Sequence, residues 1–170
     1  MADKSTAIPI PPPGTRGTRI PGGKILMKVF KPLADRQVAR LRQTTTPEPP
    51  QMMGLPAVLL TTVGAKTGPE RTHVLGGFAD GPDAWLMVAS NGGAPTHPGW
   101  FYNICTNPDQ VWMQVGNRKL RVAVESLQGE ARERGLAKVA AISPRYGGYQ
   151  KKTDREIPVL RLTPADQAAA

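Results

Sequence analysis

Cysteine and histidine are scarce in this chain of 170 residues, which has one Cys and two His. A single Cys excludes a disulfide framework and a cysteine-rich zinc site, and two His leave too few ligands for a conventional transition-metal site. No apolar run approaches the length of a membrane span, and the N-terminus lacks the apolar segment of a secretory signal. These absences predict a metal-free protein of the reducing cytoplasm.

Positive charge and proline are unevenly distributed along the chain. The sequence has 22 Lys and Arg against 13 Asp and Glu, which gives a net charge of +9, and it has 18 prolines. Residues 1–50 carry nine of the basic residues, three of the acidic residues and half of the prolines, whereas residues 51–128 carry five charges of each sign. This pattern predicts three parts: a flexible, Pro-rich basic arm over residues 1–23, a basic helix with a linker over residues 24–53, and a domain over residues 54–170.

The segment over residues 24–43 has the spacing of an amphipathic helix that breaks or restarts at Pro32. Two interpretations stay open for this helix. It could lie on an anionic membrane surface, or it could dock on the domain with its basic face in solvent. The preceding arm could equally be disordered or draped over the domain.

Short apolar segments separated by turns predict a small, mostly antiparallel α+β domain. The pattern favours a barrel-like sheet over a parallel βαβ fold, because the strands follow one another through short turns and most of the helices come late. Strands are expected over residues 57–63, 71–78, 84–89, 110–115, 119–124 and 157–162, and helices over residues 98–105, 129–142 and 144–152.

A glycine-rich segment with two cations, residues 64–71, follows the first of these strands. Glycines let backbone N–H groups approach an anion closely, and the side chains of Lys66 and Arg71 add positive charge. The segment lacks the Gly-Lys-Ser/Thr order of a Walker loop. It could hold a phosphate, or it could be a surface hairpin with two solvated cations.

A second glycine-rich loop, residues 89–97, leads from a strand into an aromatic helix. Such a loop can surround a ligand with its N–H groups, and Trp100 can supply a flat apolar wall. His97 is expected to make a hydrogen bond at the helix entry rather than to act as a base.

Two further segments carry polar groups near the C-terminus. Tyr146 and Tyr149 are three residues apart and share one face if their segment is helical, so that a phenol could orient or protonate a carbonyl. Ordinary packing is the alternative for this pair. The charged residues over 151–158 are expected to form a solvated turn with local ion pairs.

Taken together, these segments resemble the deazaflavin-dependent nitroreductase family over roughly residues 54–164. The similarity lies in the order and spacing of residues 59–68 with Arg71, residues 89–94 with 97–100, Asn103 with 107–108, and Tyr146 with Tyr149 and 153–158. The resemblance implies an FMN-binding-like split β-barrel and reduced 8-hydroxy-5-deazaflavin (coenzyme F-420) as hydride donor. Split barrels of this kind often form homodimers.

The resemblance also implies the roles of individual residues. Those expected to hold the phosphate and acidic tail of the coenzyme are Lys66, Thr67, Gly68 and Arg71. Those expected along its ring and ribityl chain are His73, Val74, Ser90, Asn91, Gly92, Gly93, Trp100 and Asn103. Trp100 and Asn103 are expected to line the same pocket. Tyr146, Tyr149 and Ser90 are the candidate catalytic residues. Many relatives have Arg where this chain has Ala65 and Lys where it has Asn91, so two cations near the coenzyme are missing.

The implied reaction is hydride transfer to a small electron-poor acceptor such as an enone, a quinone or a nitroaromatic compound. Two alternatives remain from the sequence: a reductase that uses FMN in the same barrel, and a non-catalytic protein that carries deazaflavin or binds a membrane or nucleic acid. Nucleic acid is disfavoured because the excess charge lies mainly in residues 1–50 and no nucleic-acid motif accompanies it.

Overall fold

The computed structural model describes residues 8–165, apart from the side chain of Lys24. Its strands are β1 (Gln51–Met52), β2 (Leu55–Val63), β3 (Glu70–Gly76), β4 (Phe78–Ala79), β5 (Trp85–Val88), β6 (Val111–Val115), β7 (Arg118–Ser126) and β8 (Val159–Pro164). Its helices are α1 (Gly23–Arg42), α2 (Gly99–Thr106), α3 (Gly129–Ile142) and α4 (Pro144–Lys152), and a short 3-10 turn covers Asn91–Gly93.

The strands form one antiparallel sheet in the order β1-β2-β6-β7-β8-β5-β4, with β3 paired to β2 outside that path. Strand β2 therefore pairs with β1, β3 and β6. The predicted hairpin is present, since Val115 of β6 pairs with Arg118 of β7 across Gly116-Asn117. The expectation of a mostly antiparallel α+β fold is confirmed. The strand expected over residues 71–78 divides at Gly77, where a Cβ would lie only 2.5 Å from the Val58 side chain.

Two apolar clusters hold the sheet and the helices together. The larger cluster packs α2 against the sheet and includes Val58, Leu60, Met87, Phe101, Ile104 and Leu160. The smaller cluster lies beneath α3 and includes Leu55, Phe78, Leu86, Leu127, Val139 and Val159. Because α2 packs on the sheet through Phe101 and Ile104, its N-terminal end is fixed beside the loop that follows β5.

Helix α1 is continuous through Pro32, so the predicted break is wrong. Proline removes one N–H from the helix ladder, and because this stretch is exposed, water can satisfy the freed carbonyl of Lys28. Only the C-terminal end of α1 docks on the sheet, where Arg42 donates to the Thr72 hydroxyl at 2.9 Å. The large apolar side chains of its first half are exposed: Ile25, Leu26, Met27, Val29, Phe30 and Leu33. None of the helices within residues 8–165 is long and apolar enough to cross a membrane.

The described part of the N-terminal arm lies against the barrel. The amide of Gly14 donates to the Pro95 carbonyl at 2.8 Å, and the amide of Thr18 donates to the Gly93 carbonyl at 2.9 Å. At Gly17 the arm crosses so closely that a Cβ would lie 2.6 Å from the oxygen of Gly93. The segment from residue 11 to residue 18 thus forms a strap over the loop after β5. The division of the chain at residues 23 and 53 stays a prediction.

Candidate active site

A cavity of about 530 Å³ opens beside β3, the loop after β5 and helix α4. We call it the aromatic cavity. Most of the predicted coenzyme-ring and catalytic residues line it: His73, Ser90, Asn91, Gly92, Trp100, Tyr146 and Tyr149. Three methionines also border it: Met27, Met52 and Met53. Methionine is flexible and polarisable, so it suits contact with flat aromatic ligands of differing shape.

Tyr146 stands at one wall of the aromatic cavity. Its ring packs edge-to-face on Phe78 and on Tyr149, with centroid separations of 5.1 and 5.2 Å. The hydroxyl reaches Gly76, where a Cβ would lie 3.4 Å from the phenol oxygen. Burial raises the pKa of Tyr146, and the neighbouring Tyr149 raises it further. The phenol therefore remains protonated at neutral pH and can donate a hydrogen bond into the cavity.

His73 lines the aromatic cavity from strand β3. Burial lowers its pKa, and the positive charge of Arg71 lowers it further. The imidazole is therefore mostly neutral near pH 7. Val74, the next residue, does not line this cavity. Side chains alternate across a strand, so of these two predicted residues only His73 lines the aromatic cavity, and contact with the coenzyme stays a prediction.

A second cavity of about 670 Å³ lies beside the loop between β2 and β3. We call it the basic pocket. Lys66, Thr67 and Arg71 line it, and Arg71 donates to the Thr67 hydroxyl at 3.2 Å. No acidic side chain among the described residues lines this pocket. Gly68 is not part of the lining, and its φ of +77° forms the turn that returns the chain to β3.

Asn103 fixes the loop of the basic pocket to helix α2. Its Oδ1 accepts from the Ala65 amide at 3.0 Å, and its Nδ2 donates to the Thr62 hydroxyl at 3.0 Å. Both ends of the amide are thus used within the protein. Asn103 lines the basic pocket whereas Trp100 lines the aromatic cavity, so the expectation that they share one pocket is wrong.

Gly99, at the start of α2, borders both cavities. A Cβ at this position would meet no atom within 4 Å, so the space beside Gly99 is open. The arrangement can take a ligand that has a flat apolar ring at one end and an anionic chain at the other. It offers hydrogen-bond donors at the ring end and cations at the chain end. Residues 8–165 contain no group of three His, Cys, Asp or Glu side chains that could hold a metal ion.

Arg155 organises the loop after β5, and sequence analysis missed it. The side chain is 1% exposed, so the expectation of a solvated turn over residues 151–158 is wrong at this position. Its guanidinium donates to the carbonyls of Ala89, Ser90 and Ala94 and to the ring of His97. Alternating charges along a segment do not reveal partners sixty residues away. The feature of the sequence that could have pointed to Arg155 is its place within residues 153–158, which are part of the family resemblance.

His97 makes the helix-entry hydrogen bonds that the sequence predicts. Its Nδ1 accepts from Arg155 at 2.9 Å, and its Nε2 lies 2.7 Å from the Pro11 carbonyl. Both ring nitrogens are therefore occupied. Gly93, a predicted coenzyme residue, lines neither cavity. Its carbonyl accepts a hydrogen bond from the Thr18 amide of the arm.

Comparison with known proteins identifies the family. The family model described as F420H(2)-dependent quinone reductase matches residues 34–164. The F420H(2)-dependent quinone reductase Rv1261c of Mycobacterium tuberculosis strain H37Rv is 42% identical over 113 residues, which cover 64% of this chain and 73% of that protein.

Two solved structures share the fold. The structure of an F420-H2 dependent reductase, FDR-A, has a TM-score of 0.57 and 38% identity, and the match covers 66% of this chain and 98% of that one. A structure described as a domain-swapped dimer has a TM-score of 0.59 and 32% identity, and covers 84% of this chain and 99% of that one. These similarities confirm the split-barrel fold. The chain belongs to the F420H(2)-dependent quinone reductase family and is a reductase that uses reduced coenzyme F-420.

Proposed function

We propose that the protein transfers a hydride from reduced coenzyme F-420 to small quinones, and that it also accepts other electron-poor compounds such as enones and nitroaromatics. The observation that carries this proposal is the junction at Gly99 between an aromatic cavity with free polar groups and a pocket lined by cations. A flat ring with an anionic tail fits such a pair of cavities, and a second flat molecule can enter beside the ring.

The basic pocket would hold the phosphate and acidic tail of the coenzyme. Lys66 and Arg71 supply the charge, and Arg can bind a phosphate through two parallel hydrogen bonds. The Thr67 hydroxyl already accepts from Arg71 and so keeps that side chain directed along the pocket. With no cation at Ala65 or Asn91, Lys66 and Arg71 are the cations that line the basic pocket among the described residues.

The aromatic cavity would hold the ring of the coenzyme and the acceptor. The bound coenzyme supplies a hydride from its reduced ring. Among the described residues, the hydroxyls of Tyr146 and Ser90 donate no hydrogen bond, so both can bind an acceptor carbonyl. Tyr146 is protonated at neutral pH as any phenol is, and burial raises its pKa further from neutrality. Its phenol would polarise the acceptor carbonyl and stabilise the oxygen that gains negative charge, with Tyr149 supporting its orientation.

The acceptor class can be tested with purified protein and a panel of three compounds. A quinone, a cyclic enone and a nitroaromatic compound are each mixed with the protein and reduced coenzyme without oxygen, and the deazaflavin absorbance is followed. We expect the quinone to oxidise the coenzyme fastest, with measurable turnover of the other two. FMN replaces the coenzyme in a parallel series. Turnover with reduced FMN alone would contradict the proposal, and coenzyme binding with no turnover of any acceptor would indicate a carrier.

The exposed apolar half of α1 supports a second proposal, that the chain forms a homodimer through this helix. Large apolar side chains such as Ile25 and Phe30 are more than half exposed in the single chain, and contiguous exposed apolar surface marks an interaction site. The similar protein described as a domain-swapped dimer favours a second copy as the partner.

Analytical ultracentrifugation of the full chain and of Phe30→Glu tests the dimer. A dimer in the wild type that dissociates in the variant is expected. A monomeric wild type that co-sediments with anionic liposomes at low salt would instead indicate that α1 contacts a membrane surface.

A further inference from the structure

Arg155 is a buried cation without a carboxylate partner. It is 1% exposed, and no ion pair among the described residues includes it. Arginine stays protonated in proteins, so the burial of its charge must be offset by hydrogen bonds and by dipoles turned toward it. A side chain that served only to fill the core would not require this charge. Its partners therefore indicate what the charge does.

All four hydrogen bonds of the guanidinium go to the loop beside the aromatic cavity. Nε donates to the Ala94 carbonyl at 3.0 Å, and Nη2 donates to the Ser90 carbonyl at 2.8 Å. Nη1 donates to the Ala89 carbonyl at 3.2 Å and to Nδ1 of His97 at 2.9 Å. One side chain thus fixes both ends and the middle of the loop.

These bonds determine the direction of two backbone amides. The described peptide bonds are trans, so a carbonyl and the following N–H point in opposite directions. Because the carbonyls of Ala89 and Ser90 face the guanidinium, the N–H groups of Ser90 and Asn91 point away from it. Neither amide donates to another described residue, and both residues line the aromatic cavity.

The backbone conformation brings the two amides together. Ser90 has φ −71° and ψ −33°, and Asn91 has φ 46°. A right-handed residue followed by a left-handed one turns successive N–H groups to the same side, which is an arrangement that binds anionic oxygens. The Asn91 side chain closes the loop by donating to the Thr96 carbonyl at 3.0 Å.

We propose that Arg155 is a positioning residue, which holds the Ser90 and Asn91 amides toward the aromatic cavity so that they donate hydrogen bonds to a carbonyl oxygen of the deazaflavin ring. This inference rests on the proposed function of the cavity. The guanidinium acts through the loop: its bonds to the carbonyls fix the amides, and its charge polarises the same peptide groups. The amides then define the depth and orientation of the ring beside Tyr146.

Arg132 offers a matched control for a buried arginine. It is 8% exposed and donates from Nε and Nη2 to the Ile157 carbonyl, at 3.1 and 2.9 Å. It lines neither the aromatic cavity nor the basic pocket. Arg132 also donates to Glu133 and to Gln150. None of its partners lies in the loop after β5, so Arg132→Met reports the cost of removing a buried, hydrogen-bonded arginine that does not hold this loop.

The experiment measures binding of oxidised coenzyme F-420 to wild type, Arg155→Met, Arg155→Lys and Arg132→Met, by fluorescence and by the absorbance spectrum of the bound coenzyme. Loss of two amide hydrogen bonds should weaken binding by about ten- to a hundredfold in both Arg155 variants. Lysine keeps the charge but cannot reach four acceptors, so it should not restore the affinity. The spectral change on binding should also diminish, whereas Arg132→Met should keep the wild-type Kd and spectrum.

Ser90→Pro and Ser90→Ala test the amide itself and remain informative if Arg155→Met does not fold. Proline accepts a φ of −71° but has no N–H, and alanine removes only the hydroxyl. We expect Ser90→Pro to bind the coenzyme at least about tenfold more weakly than Ser90→Ala.

The possible outcomes separate the two proposals. Reversible unfolding would raise the apparent Kd, so each variant is first shown by circular dichroism to be fully folded at the temperature of the titration. A changed Kd in a folded variant is then not a stability effect. Wild-type Kd and spectrum in Arg155→Lys, or equal binding by Ser90→Pro and Ser90→Ala, would overturn the positioning role and leave the proposed function intact. A wild-type protein that binds no coenzyme would overturn the proposed function, and this inference with it.

Discussion

Nη1 of Arg155 lies 2.9 Å from Nδ1 of His97 and donates a hydrogen bond to it. Because a guanidinium has no acceptor, Nδ1 must carry the lone pair and Nε2 must carry the proton. Nε2 then donates to the Pro11 carbonyl at 2.7 Å. The hydrogen-bonded chain from Arg155 through His97 to the N-terminal strap therefore requires a neutral imidazole with its proton on Nε2, because protonation of Nδ1 would remove the acceptor for Arg155.

The first prediction concerns the pH dependence of this contact. Burial lowers the pKa of His97 below its ordinary value of 6.5, and Arg155 lowers it further, although the bond to Pro11 opposes this. A depressed pKa in the folded state stabilises the fold above the unfolded value, and this contribution is lost as the pH falls through the folded pKa. We expect the unfolding temperature to fall below about pH 6.5, with a smaller fall in His97→Gln. A His97 pKa at or above 6.5, measured by NMR, would contradict the neutral tautomer assigned to this residue.

The second prediction concerns the basic pocket. Arg71→Ala should weaken coenzyme binding by about ten- to a hundredfold, since a charged hydrogen bond to an anion contributes about 1.5–3 kcal/mol. The fold should be unaffected, because an exposed cation contributes little stability. Arg118→Ala is the control, as Arg118 is an exposed cation at the β6–β7 turn. Equal coenzyme affinities in Arg71→Ala and Arg118→Ala would show that the acidic tail does not bind in this pocket.

The third prediction concerns the phenol of Tyr146. Tyr146→Phe keeps the ring packing on Phe78 and removes only the hydroxyl. Turnover should fall by about 10²–10⁴-fold while the Kd of the coenzyme stays the same, because the lost interaction strengthens as the acceptor oxygen gains charge. Tyr149→Phe should have a smaller effect. Rapid-mixing kinetics with a quinone measures both, and an unchanged rate in Tyr146→Phe would exclude the catalytic role.

The fourth prediction concerns the passage at Gly99. Leucine at this position would project into the open space beside Gly99, which borders both cavities, and should reduce coenzyme affinity if the ligand spans them. The fold should be at least as stable, since leucine favours helix more than glycine does. Gly23→Leu, at the start of the exposed helix α1, is a control with the same change of residue. Wild-type coenzyme affinity in Gly99→Leu, measured by fluorescence titration, would show that the ligand does not pass this point.

Local patterns in the sequence predicted most of the fold. The bounds of α3 and α4 agree with the prediction at residues 129–142 and 144–152, because each helix starts after a clear boundary, which for α4 is a proline at its first position. The break at Pro32 was wrong, since an exposed helix tolerates the loss of one hydrogen bond. The strand predicted over residues 71–78 was too long, because at Gly77 the backbone passes close to the side chains of Val58 and Trp85.

The candidate site was predictable only in part. The residues Lys66, Arg71, Ser90 and Tyr146 could be named because they lie in segments that resemble a known family. The sequence could not predict how these residues divide between the two cavities, because that depends on which face of β3 and α2 each side chain occupies. The role of Arg155 depends on contacts with a loop more than fifty residues away, and no local pattern encodes such contacts.

The proposed reaction passes a hydride from bound reduced coenzyme F-420 to a quinone. A single turnover without oxygen tests it most directly: the protein is saturated with reduced coenzyme and mixed rapidly with an excess of a small quinone. We expect one equivalent of oxidised deazaflavin to form per bound coenzyme, much faster than in the mixture without protein, and at least about a hundredfold more slowly in Tyr146→Phe. Oxidation at the protein-free rate would contradict the account.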